Sequence, residues 1–238
     1  MDLQIDAGDT IGRVSAILLR PPTARVGYVL AHGAGAGMRH RFMEAIAEAL
    51  ARHEVATLRY QFPYVEAGDR RPDPPGVLET TVRAAVARAR EALPDLPLVA
   101  GGKSLGGRMT SSAVARRGLE GVSGLVLLGF PLHPAKQPGV SRADHLAGVP
   151  LPMLFLQGTR DTLADLELIR GVCHRLGARA TLHVVEGADH SFAVLKRSGR
   201  SEGEVMEELA HGIAEWCGAF ISASSPQRHR EHREPREG

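Results

Sequence analysis

The sequence predicts an α/β domain, a mostly parallel sheet with helices on both faces. Short apolar runs alternate with stretches of 3.6-residue periodicity along the chain. Several runs are apolar throughout, as strands covered on both faces must be. Several also open directly into glycine-rich or charged turns, and 238 residues suit one medium domain with a substantial core.

Taken in order, residues 3–20 alternate and stop at Pro21-Pro22, which predicts one or two antiparallel edge strands. Residues 27–31 form a short buried strand that opens into His32-Gly33-Ala34-Gly35-Ala36-Gly37. Phe42, Ile46, Ala49 and Leu50 then recur at helical spacing. Residues 55–60 are the next strand, followed by a proline- and charge-rich loop from Gln61 to Gly76. Leu78, Val82, Ala85, Val86, Ala89 and Leu93 mark a helix face. Residues 96–100 are a strand feeding the glycines around Ser104, and the helix beyond ends near Gly118, a residue suited to a C-terminal cap. Residues 124–130 are a buried strand, and 131–151 a loop with one short helix around Asp144. Residues 152–157 are again a strand, Leu166 to Leu176 a helix with Gly177 beyond it, and 181–185 the last strand. Val205, Leu209, Ile213, Trp216 and Phe220 lie on one face of a closing amphipathic helix. With no repeat and no interdomain linker, residues 1–223 read as one domain. The polar, charged stretch 224–238 has no apolar anchor and reads as a disordered tail.

Composition excludes several classes. A net charge of +2, with arginines interleaved with acids, predicts no nucleic-acid partner, and the tail's four arginines and three glutamates nearly cancel. No apolar run approaches the roughly 18 residues of a membrane span, so no membrane partner is expected. The start Met1-Asp2-Leu3-Gln4-Ile5-Asp6 lacks a basic and an apolar region, which points to a cytoplasmic protein. Cys173 and Cys217 sit inside helical patterns as small core fillers. His53, His174, His183 and His211 have no metal-ligand spacing, so neither metal nor cofactor is expected.

Gly102-Lys103-Ser104-Leu105-Gly106 fits G-x-S-x-G, in which a serine sits on a sharp strand-to-helix turn. Its neighbours two away must be small, because strand and helix nearly collide there. The helix N-terminus aims N–H groups at any anion that forms nearby. Among 27 glycines the motif is weak alone, and a plain glycine-rich turn is the competing reading. A phosphate-binding loop is excluded, since the first glycine of G-x-x-x-x-G-K-S would fall on Pro97. The run 33–37 fails as a dinucleotide fingerprint because Met38 and His40 stand where glycine is needed.

In such sheets functional groups gather at the carboxyl ends of strands. His32-Gly33-Ala34, Ser104, Asp161 and His190 all fall at expected strand ends, with nucleophile, acid and histidine in that chain order. The pieces HGAGAG, GGKSLGGRM, LGFPLHP, QGTRD and GADHSF together resemble the α/β-hydrolase superfamily. Within it, the chain is similar to the small, capless dienelactone-hydrolase-like group with its KANL/Tex-type relatives. The resemblance implies an α/β-hydrolase fold with Ser104 as nucleophile, Asp161 as acid and His190 as base. It places the oxyanion hole at the backbone N–H groups of Leu105 and Ala34. Dienelactone hydrolases use cysteine where this chain has Ser104, so the likeness describes shape rather than substrate.

The expected activity is a carboxylesterase-like serine hydrolysis of a small acyl substrate through an acyl-enzyme. Thioesterase and peptidase chemistry use the same machinery, and a non-catalytic scaffold on the fold is the alternative from another class. Among nearby residues, Asp165 reads as a first-turn charge and the weaker candidate acid, and Asp189 as a brace for its loop. His32 reads as structural, and Arg59 as a tie for the Phe62-Pro63-Tyr64 loop. Lys103 is either an elbow brace or a surface charge. His133 and Lys136 fall near the expected site mouth, either touching substrate, His133 above all, or merely solvated.

Overall fold

A computed structural model describes residues 1–224. The tail expected over 224–238 lies outside the described residues, apart from Ser224 at the end of the last helix. The strands are β1 (Asp2–Asp6), β2 (Arg13–Leu19), β3 (Val26–Ala31), β4 (Val55–Tyr60), β5 (Leu98–Lys103), β6 (Val122–Leu128), β7 (Met153–Gly158) and β8 (Ala180–Val185). They form one sheet in the order β1-β2-β4-β3-β5-β6-β7-β8. The β1–β2 and β2–β4 pairs are antiparallel and the remaining pairs parallel. Only β1 of the first two strands is an edge, because β2 lies between β1 and β4. The alternating pattern there reported one buried face; it carried no information about the neighbour recruited from residues 55–60.

The helices are α1 (Arg41–Arg52), α2 (Pro63–Glu66), α3 (Pro75–Ala92), α4 (Leu105–Arg117), α5 (Leu166–Leu176) and α6 (Glu202–Ser224). Met43, Ile46 and Leu50 of α1 and Val205, Leu209 and Ile213 of α6 bury one face of the sheet over Val99, Val126 and Leu156. Leu78 and Val82 of α3, Met109 and Ala113 of α4, and Ile169 and Val172 of α5 cover the other over Ala100, Leu127 and Phe155. Each such Val, Leu, Ile, Met or Phe side chain contributes roughly 1.5–3 kcal/mol when fully buried, so both faces hold the sheet against its helices.

The loop after β4 contains the short α2, started by Pro63 and held by the Asp73 carboxylate, which accepts the Tyr64 N–H at 2.8 Å. Between β6 and β7 there is only a 3-10 turn, Ser141–Gly148, and no cap domain. Among the described residues no helix is long and apolar enough to cross a membrane.

The chain goes from β3 outward to β4, then back past β3 to β5. This reversal opens a crevice at the carboxyl ends of β3 and β5, the usual place for a site in an open α/β sheet.

Candidate active site

Strand β5 extends through Gly101 and Gly102 to Lys103, longer than its apolar run. Glycine is required at both positions. A Cβ on Gly101 would lie 1.9 Å from the Val126 carbonyl oxygen, and one on Gly102 2.2 Å from that of Ala31. A Cβ on Gly106, in the first turn of α4, would lie 2.6 Å from the carbonyl oxygens of Ala31 and His32. Strand, elbow and helix are thus wedged against β3, and Ser104 is left at φ 51°, ψ −114°. Such a backbone costs of order 1–3 kcal/mol and persists only where packing over-determines it. Here the Ser104 N–H donates to the Leu128 carbonyl at 2.9 Å, and the Ser104 carbonyl accepts from Arg108 N–H at 3.1 Å.

Three groups far apart in sequence meet above this bend. Ser104 Oγ lies 2.9 Å from His190 Nε2, and His190 Nδ1 lies 2.7 Å from Asp161 Oδ2. A carboxylate only accepts, so Nδ1 carries the proton and Nε2 is free to accept from the serine hydroxyl. The Asp161 side chain is fully buried. Burial alone would raise its pKa, but the hydrogen bond and charge of His190, the Leu163 N–H and the charge of Lys103 outweigh it and hold the carboxyl below its ordinary range. Gln157 Nε2 donates to the same Oδ2 at 2.5 Å, and Leu163 N–H to Oδ1 at 2.8 Å. The carboxylate is therefore fixed on both oxygens.

The loop after β3 forms the opposite wall. A Cβ on Gly33 would stand 3.6 Å from Ser104 Cβ, so this loop runs in contact with the elbow. Two buried side chains pin it. His32 Nδ1 donates to the Gly33 carbonyl at 2.8 Å, and its Nε2 accepts the Phe62 N–H at 3.1 Å. Burial lowers the His32 pKa to about 4, the Gly33 carbonyl opposing, so the ring is neutral at pH 7. Arg59 Nη1 donates to the Met38 carbonyl at 3.0 Å. The tie expected of Arg59 onto residues 62–64 is thus made by His32, while Arg59 secures the glycine loop. Ala34 lines the cavity with Ser104, and Leu105 opens α4, where an amide has no helical carbonyl four residues back.

That cavity, of about 470 Å³, lies between the start of α1 and the start of α6. Its wall combines Phe42, Met43, Phe192 and Met206 with Ser104 and His190, and the Phe42 and Phe192 rings stack at 5.8 Å.

The other expectations fare differently. Asp165 is the N-cap of α5, its Oδ1 accepting from Glu167 and Leu168 N–H groups, with no contact to His190. Asp189 Oδ1 accepts from Ser191 and Ala193 N–H groups and braces the loop that presents His190. His133 does not line the cavity. Its ring is buried between the Pro134 carbonyl at 2.8 Å and the Asp165 N–H at 3.4 Å, so it welds two loops and offers nothing to a substrate there. Lys136 is exposed and also outside the cavity wall. Lys103 is no surface charge, because its side chain is buried beneath the elbow. Burial pushes the Cys173 and Cys217 thiols up to about 11 and about 12, which leaves them protonated core fillers. Gln157 went unrecognised in the sequence, although a lone amide at the end of the buried run Met153–Gly158 was a signal. Among the described residues no cluster of three or more His, Cys, Asp or Glu is placed to hold a metal.

This chain also has known likenesses. A family model described as an alpha/beta hydrolase domain matches residues 24–218. Among solved structures, a dienelactone hydrolase from Anabaena variabilis is 20% identical with a TM-score of 0.71, covering 92% of this chain and 96% of that one. A serine hydrolase without a lid from Xanthomonas campestris is 21% identical with a TM-score of 0.70, covering 91% and 94%. The esterase domain of a Rhodothermus marinus protein is 16% identical with a TM-score of 0.67, covering 91% and 97%. These likenesses share the fold seen here. With a reversed parallel sheet, a glycine-wedged serine elbow and a family match over most of its length, the chain belongs to the alpha/beta hydrolase family.

Proposed function

We propose that the chain is a serine hydrolase that cleaves small carboxylic esters through an acyl-enzyme. Ser104 is the nucleophile, His190 the general base and acid, and Asp161 the group that orients the imidazole. The unbroken relay from Ser104 Oγ to His190 to a fully buried carboxylate, opening on a cavity, carries this reading. A serine hydroxyl is a weak nucleophile until a histidine takes its proton. Attack on an ester carbonyl forms a tetrahedral oxyanion, for which the N–H groups of Leu105 and Ala34 are the assigned donors. His190 then protonates the leaving alcohol, activates water on the acyl-enzyme, and returns the proton to Ser104 as the acid leaves.

The cavity supports a small, largely apolar substrate, since about 470 Å³ walled by Phe42, Met43, Phe192 and Met206 accommodates a modest acyl or aryl group. A scaffold without catalysis has no use for a buried carboxylate locked onto a histidine, and nothing in the site favours that alternative. Chromogenic acyl esters of increasing chain length, with matched thioesters, test the proposal. Short esters are expected to turn over in the wild type and to lose about 10⁴-fold or more in Ser104→Ala. Equal rates in the two proteins, or no ester hydrolysis by the wild type, would overturn it, and turnover of thioesters alone would move the reading to a thioesterase.

A further inference from the structure

The hydrolytic scheme leaves Lys103 unused. The sequence has three lysines among 29 basic residues, and Lys136 and Lys196 are exposed. The third is 9% exposed, in a chain that places arginine nearly everywhere else. Its Nζ is buried with no hydrogen-bond partner. It lies 5.4 Å from the centroid of the Phe192 ring and 6.0 Å from that of Phe42. On its other side Gly129, at φ +60°, leaves it room: a Cβ there would stand 3.0 Å from Nζ. That same point is 3.6 Å from Asp161 Oδ2 and 3.5 Å from the His190 carbonyl oxygen. The ammonium therefore shares a corner with the back of the Asp161–His190 pair.

Burial pulls the Lys103 pKa down to about 8, with the Asp161 and Asp189 carboxylates opposing. Below that pH it is a cation. The groups that face it are the carboxylates of Asp161, from the turn after β7, and Asp189, from the loop after β8, together with the Phe42 and Phe192 rings. His40, Arg41 and Glu202 stand elsewhere on the cavity wall.

We propose that Lys103 is a positioning residue for the reaction, a buried cation that keeps the Asp161 carboxylate ionised and in place behind the His190 ring. This rests on the reading of Ser104, His190 and Asp161 as the reacting set. The physical argument is that a nearby cation favours the carboxylate over the neutral acid, more strongly in a site of low dielectric than in water.

Carboxyl ¹³C NMR of the free protein tests it, with Asp161 assigned by comparison with Asp161→Asn. In Lys103→Met the Asp161 signal is expected to titrate at higher pH than in the wild type. Lys103→Arg, which keeps the cation, is expected to stay at the wild-type position. An unmoved Asp161 in Lys103→Met, or a Lys103→Arg that moves with it, would overturn the inference. Should Lys103→Met fail to fold, the three lysine ¹³Cε signals of the wild type decide: Lys103 charged at pH 6 supports the inference, and Lys103 neutral at pH 6 overturns it. Neither NMR readout needs turnover. A wild type that fails to react with a fluorophosphonate therefore sinks the hydrolytic reading, while an unmoved Asp161 sinks this inference alone.

Discussion

Ser104 and Ser111 stand at the start and in the middle of the same helix, and each is within hydrogen-bond distance of a histidine, 2.9 Å to His190 and 2.8 Å to His145. The separation is the same; the surroundings are not. The Ser111 hydroxyl donates to the Arg108 carbonyl at 3.0 Å, so its proton is already committed and His145 Nε2 is the donor to it. Ser111 is fully buried, and no carboxylate pairs with His145 among the described residues. Burial, with the Arg108 charge, lowers the His145 pKa, while Glu79 and Asp144 oppose. Ser104 instead sits at positive φ beside a cavity, facing an imidazole whose far nitrogen is held by Asp161. A serine–histidine distance therefore identifies nothing by itself. Proton direction, a carboxylate behind the ring, backbone strain and access distinguish the pair proposed to react from a tie between two elements.

Substitution at the two serines should separate them most. Ser104→Ala is expected to lower kcat/KM for a short ester by about 10⁴-fold or more. Ser111→Ala is expected to leave it within about threefold while costing about 1–2 kcal/mol in urea unfolding. Comparable activity losses at both positions would dissolve the contrast.

The next largest effect concerns the acid. Asp161→Asn is expected to cost about 10³–10⁴-fold in kcat, because the amide no longer holds Nδ1–H. Asp144→Asn, beside the other histidine, is expected to change kcat little. Ala34→Pro removes one assigned oxyanion donor and is expected to cost about 10²–10³-fold with the melting temperature nearly kept. A wild-type rate in that variant would move the donor elsewhere.

Smallest is the effect of pH on the buried rings. His32 and His145 both have folded pKa values below their ordinary value of 6.5, so the unfolded chain takes up the protons first. Stability is complete above about pH 6.5 and falls as pH drops. For His32, whose value lies near 4, the loss by pH 4 is about 3 kcal/mol. Urea unfolding at pH 7, 5.5 and 4.5 measures this, and His32→Gln, neutral throughout, is expected to flatten the slope.

The alternation of strands and helices was legible because a parallel strand covered on both faces must be apolar along its whole length, as Val26–Ala31 is. Ser104, Asp161 and His190 were legible as marked residues at strand ends, and the fold brings them together. What was not legible depends on partners distant in sequence. Lys103 is buried because Phe42, Phe192 and Gly129 close around it, and nothing local announces them. Arg59, on β4, finds Met38 in the loop after β3, and His133 finds the N–H of Asp165. Gln157 looked like the polar end of a strand until Asp161 turned back over it. In each case the local pattern reports burial or polarity, and the long-range fold chooses the contact.

The most direct measurement of the central claim is mass spectrometry of the protein treated with a fluorophosphonate at pH 7.5. A single adduct on the peptide carrying Ser104, absent from Ser104→Ala and kept in Ser111→Ala, is the predicted result. An unreactive wild type, or an adduct that persists in Ser104→Ala, would contradict it.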